Sequence, residues 1–489
     1  MPSHLFIKKS IAQLQNEAAG VGEAYTLKRT LGALNLVLLG IGAIIGAGLF
    51  SLTGIAAAHH AGPAVTLSYV LAGVGCAFAA LCYAEFASMI PIAGSAYTYA
   101  YATMGELIAW IIGWDLVLEY AVGAATVAVS WSRYFSKLLE SFGIKLPAVL
   151  MMSPFEHQNL ADGSIVSGVI NLPAVLIIVL ISLLLMRGTR ESALANAIIV
   201  ALKVGVVITF IVLGWQYIDP GNYVPYVPPN TGVFGQFGWS GVLTGAAIVF
   251  FAFIGFDAVS TAAQEARNPQ KDMPIGIIGS LAICTVLYVL FAHVMTGLEN
   301  YKNFAGEAAP VARAIAKTPY LWLQQAIIIA ILAGFTSVIL VMLLGQSRVF
   351  YSISKDGLLP KIFSDIHPRF RTPWKSNALF AVFVGSLAGF LPITVVGEMT
   401  SIGTLFAFIL VSLGVLILRY TQPEAPRAFR TPGVPVVPIL GVVTCAVMMY
   451  SLPWDTWLRL VVWMAIGLLI YFTYGVKRSI LRKTAIAQG

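Results

Sequence analysis

The chain has 489 residues, of which 58% are hydrophobic and 10% are charged, and its mean hydropathy is +0.86. Soluble globular domains carry about 25% charged residues, so this composition excludes a soluble protein, and its high hydrophobicity excludes a disordered chain. The net charge is +8, but the Lys and Arg residues lie between apolar segments rather than in one stripe, which argues against a nucleic-acid-binding surface.

Apolar stretches recur along the whole chain, and a helix needs about 20 apolar residues to cross a bilayer. Twelve stretches meet or approach that length. We name them spans 1 to 12, and in chain order they cover 34–56, 64–90, 105–136, 168–186, 194–217, 239–264, 274–298, 322–353, 377–391, 396–418, 434–452 and 454–475. The predicted fold is an all-α polytopic membrane protein with 12 transmembrane helices, an N-terminal segment (1–33) and a C-terminal tail (476–489).

The basic residues predict the orientation of these spans. Of the 29 Lys and Arg residues, 21 fall in the termini and in loops on the same side, seven fall on the other side, and Lys203 falls inside a span. Because cytoplasmic loops carry the excess of Lys and Arg, both termini are predicted to be cytoplasmic, with the chain in the cell membrane. The cysteines form no CxxC pair, and no metal-ligand cluster or nucleophile with its base is evident, so we predict neither a metal site nor an enzyme.

Span 1 has four glycines within nine residues, from Gly40 to Gly48. Glycine in a helix costs about 1 kcal/mol relative to alanine, so the helix is expected to open there. The alternative is close helix packing, because Gly42 and Gly46 form a GxxxG motif. Taken alone, span 1 favours packing.

Spans 2 and 3 carry carboxylates inside apolar sequence. Glu85 lies near the predicted cytoplasmic end of span 2, where it could snorkel, pair at a gate or carry a proton. In span 3, Asp115 and Glu119 are four residues apart and share one helical face, where they could line a cavity or pair with neighbouring groups.

Lys203 lies near the centre of span 5. A central lysine costs roughly 2.5 to 3.5 kcal/mol on insertion, so it is expected to face the bundle interior. Burial favours the neutral amine, and the hypothesis is that Lys203 carries a coupling proton. The alternative is a permanently charged lysine that braces the bundle by donating hydrogen bonds to carbonyls of span 1.

Span 6 is interrupted by Gly255 and Asp257, and Asp257 is expected to cap the resumed helix. Two glycine-interrupted spans at matching places in two halves of a chain point to a transporter site. Freed N–H groups at a new helix N-terminus bind anions, and freed carbonyls bind cations. An amino acid supplies both charges: its carboxylate fits the amides of Gly46 to Gly48, and its ammonium fits the carbonyls of Phe251, Ala252 and Ile254.

Four motifs together resemble a known family. They are GIGAIIGAGLF (40–50), FFAFIGFDAVS (250–260), EARNPQKDMP (265–274) and RVFYSISKDGLLP (348–360). From about residue 27 to 478 the chain resembles amino acid-polyamine-organocation (APC) transporters, and within them a bacterial member of the cationic amino acid transporter family. The resemblance implies a LeuT-like fold with two inverted five-helix repeats, 34–217 and 239–418, followed by spans 11 and 12 within 434–475.

The resemblance also implies roles for individual residues. The substrate carboxylate would bind at Ile44, Ile45, Gly46, Ala47 and Gly48, the amino group at Phe251, Ala252 and Ile254, and the side chain beside Glu119 and Met342. Lys203 would replace the sodium ion of sodium-coupled relatives, close to span 1 carbonyls and a span 8 hydroxyl such as that of Ser337. Relatives often have Thr or Ser where this chain has Ala47, so carboxylate binding here would depend on backbone amides alone.

The predicted function is uptake of L-amino acids by proton symport through alternating access, with H⁺ as the coupling ion and no other cofactor. An amino acid exchanger and a transporter-like amino acid sensor are the alternatives. Met342 would favour neutral substrates, whereas the family name and Glu119 would favour basic ones, so the substrate class stays open. The predicted partners are the L-amino acid and the lipid bilayer, with no nucleic acid and with protein partners unknown.

Overall fold

The computed structural model describes residues 5–10, 13–14, 31–90, 92, 94–159, 165–188, 193–307 and 309–488. Most of the predicted N-terminal segment (1–33) lies outside these residues, as do Lys28, Arg29 and Arg190 of the orientation argument.

The described chain is mostly helical, with one short hairpin between spans 3 and 4. Its α-helices are Ala33–Ile44 and Thr53–Ala56 in span 1, Val65–Met89 in span 2, Glu106–Val117 and Gly123–Ser141 in span 3, Leu172–Arg187 in span 4, Ala193–Trp215 in span 5, Gly238–Val249 and Ala258–Thr261 in span 6, Pro269–Leu298 in span 7, Leu321–Lys355 in span 8, Trp374–Phe390 in span 9, Ile393–Thr421 in span 10, Val436–Tyr450 in span 11 and Trp454–Ile470 in span 12. Shorter α-helices are Ser95–Thr103, Pro310–Ile315, Val476–Arg478 and Ile480–Gln488. The hairpin pairs His157–Asn159 antiparallel with Ile165–Ser167.

Within the described residues, eight helical stretches are long and apolar enough to cross a membrane. One of them, Ala33–Met89, contains both span 1 and span 2. It is not one rod, because Thr53 and Tyr69 are 16 positions apart and their hydroxyls lie 2.6 Å from each other, whereas a straight helix would separate them by about 24 Å. The chain reverses at Gly62, which has a φ of +61°.

Three predicted spans correspond to shorter helices. Spans 4, 9 and 11 contain helices of 16, 17 and 15 residues, which are about 22 to 26 Å long against a hydrocarbon core of about 30 Å. The fold is therefore a polytopic helical membrane protein, and the count of twelve crossings stays a prediction.

The two interrupted spans lie at the centre of the bundle. The most apolar windows of Ala33–Met89 and Gly238–Ala263 are 83% and 89% buried, whereas that of Trp454–Thr484 is 22% buried. Because an apolar face left open by the protein must be covered by lipid, span 12 lies at the periphery. Irregular backbone in spans 1 and 6 is thus shielded from hydrocarbon by neighbouring helices, as a membrane fold requires.

Glu85 ties span 2 to the end of span 10 and to the segment that follows it. Its carboxylate is fully buried and accepts hydrogen bonds from Arg419 Nη2 at 2.9 Å, Arg427 Nε at 3.0 Å and Thr431 N at 2.8 Å. The snorkelling interpretation is therefore wrong, because the carboxylate lies inside protein. Two guanidinium groups pair with Glu85, and its role at a gate or in proton transfer stays a prediction.

Both ends of the described chain lie on the same face of the bundle. Lys9 Nζ binds Asp356 Oδ1 at 2.7 Å, and the backbone carbonyl of Asp356 accepts from Ile480 N at 3.1 Å. The C-terminal helix is also held by Arg482 Nε, which donates to the buried Glu106 carboxylate at 2.8 Å. An even number of crossings places the two termini in this way.

Candidate functional site

Span 1 is interrupted within its glycine-rich segment. The first helix ends at Ile44, Ile45 is extended with φ −71° and ψ 104°, and a wider helical turn begins at Gly48 and continues to Leu52. The first N–H groups of a helix have no carbonyl partner four residues earlier. The segment from Gly46 to Gly48 therefore presents backbone donors in the middle of a membrane helix.

Span 6 is interrupted at its own glycine. The 3₁₀ turn Phe250–Phe253 is followed by Ile254 in an extended conformation and by Gly255 with a φ of +121°. That φ favours glycine, and a Cβ on Gly255 would also lie 2.8 Å from the carbonyl carbon of Ala43 in span 1. The close approach of the two spans thus requires glycine here.

Asp257 does not cap the resumed helix, contrary to the sequence prediction. Its Oδ1 accepts from Gly255 N at 3.2 Å and its Oδ2 accepts from the Tyr120 hydroxyl of span 3 at 2.7 Å. The carboxylate turns toward the break because the break leaves the Gly255 N–H without a helical partner. Asp257 therefore fixes the irregular turn and joins it to span 3.

The two breaks lie side by side. A Cβ on Gly48 would overlap the Cα of Ala252, so the backbones of spans 1 and 6 are in direct contact there. Tyr288 of span 7 bridges them, because its hydroxyl oxygen lies 2.9 Å from the carbonyl oxygens of both Ile44 and Ala252. The hydroxyl thus holds the C-terminal end of the first half-helix against the 3₁₀ turn of span 6.

The backbone groups that are predicted to bind the substrate lie at these breaks and are buried. Phe251 O accepts from Ile254 N at 3.2 Å, and Ala252 O accepts from Tyr288. Each carbonyl oxygen has two lone pairs, so both can accept a further donor. The hydrophobic residues whose backbone is predicted to bind the substrate are each at most 3% exposed. They are Ile44, Ile45, Ala47, Phe251, Ala252 and Ile254.

Lys203 is 1% exposed and points toward span 1. Its Nζ donates to Gly42 O at 2.6 Å, two residues before the first half-helix ends. Its stem packs on span 8, where a Cβ on Gly334 would lie 3.0 Å from Lys203 Cε. The Ser337 hydroxyl donates to Gly334 O at 3.0 Å, so Ser337 lies one turn from the lysine stem and makes its hydrogen bond within its own helix.

Glu119 sits in a wider helical turn, Leu118–Val122, which interrupts the regular α-helix of span 3. Such π turns are frequent at functional sites. Glu119 and Asp115 are fully buried, and the Glu119 carboxyl lies beside that of Asp257 without a well-formed hydrogen bond. Among the described residues, the carboxyl oxygens of Asp115 and Glu119 have no hydrogen-bond partner.

Met342 faces span 3, where a Cβ on Gly123 would lie 3.2 Å from its Sδ. Spans 3 and 8 run antiparallel here, because Tyr120 contacts Gly345 and Gly113 contacts Ile353. In this register Gln346 and Glu119 lie at the same level of the two helices. Gln346 is fully buried, and both atoms of its amide lack a hydrogen-bond partner within the described chain.

Sequence reasoning missed Tyr288, Tyr120 and Gln346. Each of the three is a polar residue inside an apolar span. Tyrosines and tryptophans at the membrane interface instead lie near the span ends, so this position was the available signal. Their roles depend on which helices meet across the bundle, and a single span does not encode that.

Comparison with known proteins places the chain in a family. A family model described as amino acid permease matches residues 31–473. The chain is 44% identical to the methylthioribose transporter of Bacillus subtilis (strain 168) over 481 residues, covering 98% of this chain and 100% of that protein. It is 46% identical to the branched-chain amino acid permease BcaP of the same organism over 479 residues, covering 98% and 99%.

A plant relative is more distant. The vacuolar cationic amino acid transporter 4 of Arabidopsis thaliana is 39% identical over 403 residues, which cover 82% of this chain and 65% of the plant protein. The family model spans both helix breaks, Lys203 and the facing surfaces of spans 3 and 8. The chain belongs to the amino acid permease family and is a multi-pass membrane protein of the APC superfamily.

Proposed function

We propose that the protein is a secondary active transporter that takes up L-amino acids across the cell membrane by proton symport, with both termini in the cytoplasm. The observation that carries the proposal is the apposition of two broken helices, Gly48 against Ala252, in the centre of the bundle. Irregular backbone at that depth is tolerated where it lines a cavity, and paired half-helix ends supply opposite partial charges.

The two breaks offer complementary groups to a zwitterion. The donors of Gly46, Ala47 and Gly48 would bind the carboxylate, since they begin a helix and carry its positive dipole end. The carbonyls of Phe251, Ala252 and Ile254 would bind the ammonium group. Both partners are neutral backbone groups, so neither pole of the substrate requires a charged protein side chain.

Lys203 would couple proton and substrate movement. Its amine donates to Gly42 O, on the half-helix that carries the proposed carboxylate-binding break. Loss of the proton would remove the charge that attracts this carbonyl, and the half-helix would then be free to shift. Proton release toward the cytoplasm and substrate release would follow from the same movement.

The hydrophobic residues of the proposed site are buried, and alternating access would open the site to each side in turn. On the face that carries both termini, Asp356 at the end of span 8 binds Lys9 Nζ at 2.7 Å and accepts from the Tyr97 hydroxyl at 2.6 Å. An inward-open state would require these contacts to part. We further propose twelve crossings, with 34–217 and 239–418 as inverted repeats that place spans 1 and 6 in equivalent positions.

Different residues favour neutral and basic substrates. Met342 supplies an apolar wall, and BcaP is named a branched-chain amino acid permease. Glu119, Asp115 and Gln346 supply buried polar atoms that lack a hydrogen-bond partner among the described residues. The Arabidopsis relatives are named cationic amino acid transporters. Exchange and sensing remain the alternative functions, and they differ from symport in a measurable way.

The test is uptake of labelled neutral and basic L-amino acids into proteoliposomes, with and without an inward proton gradient. We expect accumulation above the external concentration only with the gradient, and no requirement for internal substrate. Uptake that ignores the gradient would contradict proton symport. Uptake that needs internal amino acid would identify an exchanger, and binding without flux would identify a sensor.

A further inference from the structure

A groove lies at the face of the bundle where the described N-terminal chain enters span 1. Its volume is about 590 Å³, and it lies between the start of span 7 and the connection from span 10 to span 11. Backbone hydrogen bonds join the start of span 1 to the start of span 7 at this face. Leu31 N donates to Glu265 O at 3.0 Å, and Arg267 N donates to Leu31 O at 2.8 Å. The groove is therefore at a membrane boundary rather than at mid-membrane, and it is separate from the broken helices.

The upper wall of the groove is polar and basic. Asn268, Gln270 and Lys271 line it, and they surround the first turn of the helix Pro269–Leu298, which carries the positive end of the helix dipole. Arg267 precedes this wall, and the exposed Arg430 follows Phe429 on the opposite wall. The carboxylate of Asp272 accepts a hydrogen bond from Asn268 N at 3.0 Å and so binds the N-terminal end of this helix. The rim of the groove thus favours an anion.

The lower wall is apolar and continues into the lipid-facing side of span 7. Ile275 and Ile278 line the groove, and Ile275 is 43% exposed. Ile283 and Val286 lie further along the same helix, and they are 43% and 60% exposed. From Lys271 to Ile283 the helix rises about 18 Å, which is about the depth of one leaflet.

The facing wall is held in place by the protein. Phe429 N donates to the Ser88 hydroxyl at 3.3 Å, and the neighbouring Thr431 N donates to the buried Glu85 carboxylate at 2.8 Å. Ala428 and Phe429 therefore form a fixed side of the groove, with the membrane-facing side of span 7 opposite.

We propose that this groove binds an anionic glycerophospholipid, with its phosphate against Lys271 and one acyl chain along Ile275 and Ile278. Basic pockets between membrane helices on one face of the bilayer recognise anionic headgroups, and the apolar track continuous with the pocket selects a lipid over a free phosphate. Because the groove joins span 7 to the loop held by Glu85, a bound lipid would stabilise the packing of spans 2, 7 and 10.

The test is a binding titration on the purified full-length protein by native mass spectrometry, with dioctanoyl phosphatidylglycerol, dioctanoyl phosphatidylcholine and glycerol 3-phosphate. We expect saturable binding of phosphatidylglycerol that Lys271→Ala weakens about fivefold, which corresponds to about 1 kcal/mol for one lysine near an anionic headgroup. The matched control Lys361→Ala, at an exposed lysine of another loop, should bind as the wild type does.

A second variant tests the groove without changing charge. Ala428→Trp would fill the space between the loop and span 7 and should reduce phosphatidylglycerol binding to the level of phosphatidylcholine. Equal binding of both lipids by the wild type, or unchanged phosphatidylglycerol binding in both variants, would overturn the proposal. Binding of glycerol 3-phosphate as tight as that of the lipid would also overturn it, because an anion site alone would then explain the result.

Discussion

Lys203→Met should abolish accumulation driven by an inward proton gradient. Methionine keeps an unbranched stem to pack beside Gly334, but it has no amine to donate to Gly42 O or to carry a proton. Loss of the group that links the proton to the span 1 half-helix leaves only equilibration of substrate across the membrane. Uptake into proteoliposomes at a fixed pH gradient measures this, and we expect a loss of at least about tenfold in accumulation, equivalent to about 1.4 kcal/mol of lost coupling.

A charged brace and a proton carrier make different predictions for Lys203→Arg. A guanidinium keeps its proton in proteins, so arginine could still donate to a span 1 carbonyl but could not release a proton. Proton coupling predicts that Lys203→Arg also loses gradient-driven accumulation. Full accumulation by either variant would contradict the role of Lys203, and Lys145→Met, at an exposed loop lysine, is the control for loss of one lysine charge.

Gly48→Ala should inactivate transport by separating the two breaks. The added Cβ would overlap the Cα of Ala252 and lie 2.5 Å from its backbone N, and backbone atoms cannot turn aside as a side chain can. Overpacking a tight site costs about 1 to 3 kcal/mol, so substrate affinity and uptake should fall about 5- to 160-fold. Equilibrium binding and initial uptake rates are the measurements.

Gly205→Ala is the matched control for Gly48→Ala. It makes the same change in span 5, where a Cβ would meet nothing within 4 Å, and alanine is the better helix former by about 1 kcal/mol. Normal uptake is expected for Gly205→Ala. If Gly48→Ala bound and transported substrate as well as Gly205→Ala does, the contact between the breaks would have no part in the site.

Local chemistry explains what the sequence could predict. Glycines in spans 1 and 6 marked the interruptions, because the backbone conformation at Gly255 favours glycine and the approach at Gly48 leaves no room for a side chain. Lys203 was expected to face the interior because hydrocarbon cannot solvate its amine, and it is buried on the same helix face as Val200, Val207 and Phe210.

Long-range pairing explains what the sequence could not predict. Tyr288 joins two carbonyls that are distant in the sequence, and Asp257 takes a hydrogen bond from Tyr120 rather than capping its own helix. Gln346 lies level with Glu119 only because spans 3 and 8 pack in one register. No periodicity within a single span encodes such pairings, since each depends on how two or more helices pack.

The central claim is that backbone groups at the two breaks bind both poles of an amino acid. It is tested most directly by competition binding of the best-transported amino acid, its methyl ester and its N-acetyl derivative to the purified protein. The ester lacks the carboxylate and the N-acetyl compound lacks the ammonium group, so we predict that neither competes at concentrations where the free amino acid saturates the site. Competition by both derivatives at the affinity of the free amino acid would contradict the assignment of the two breaks as the substrate site.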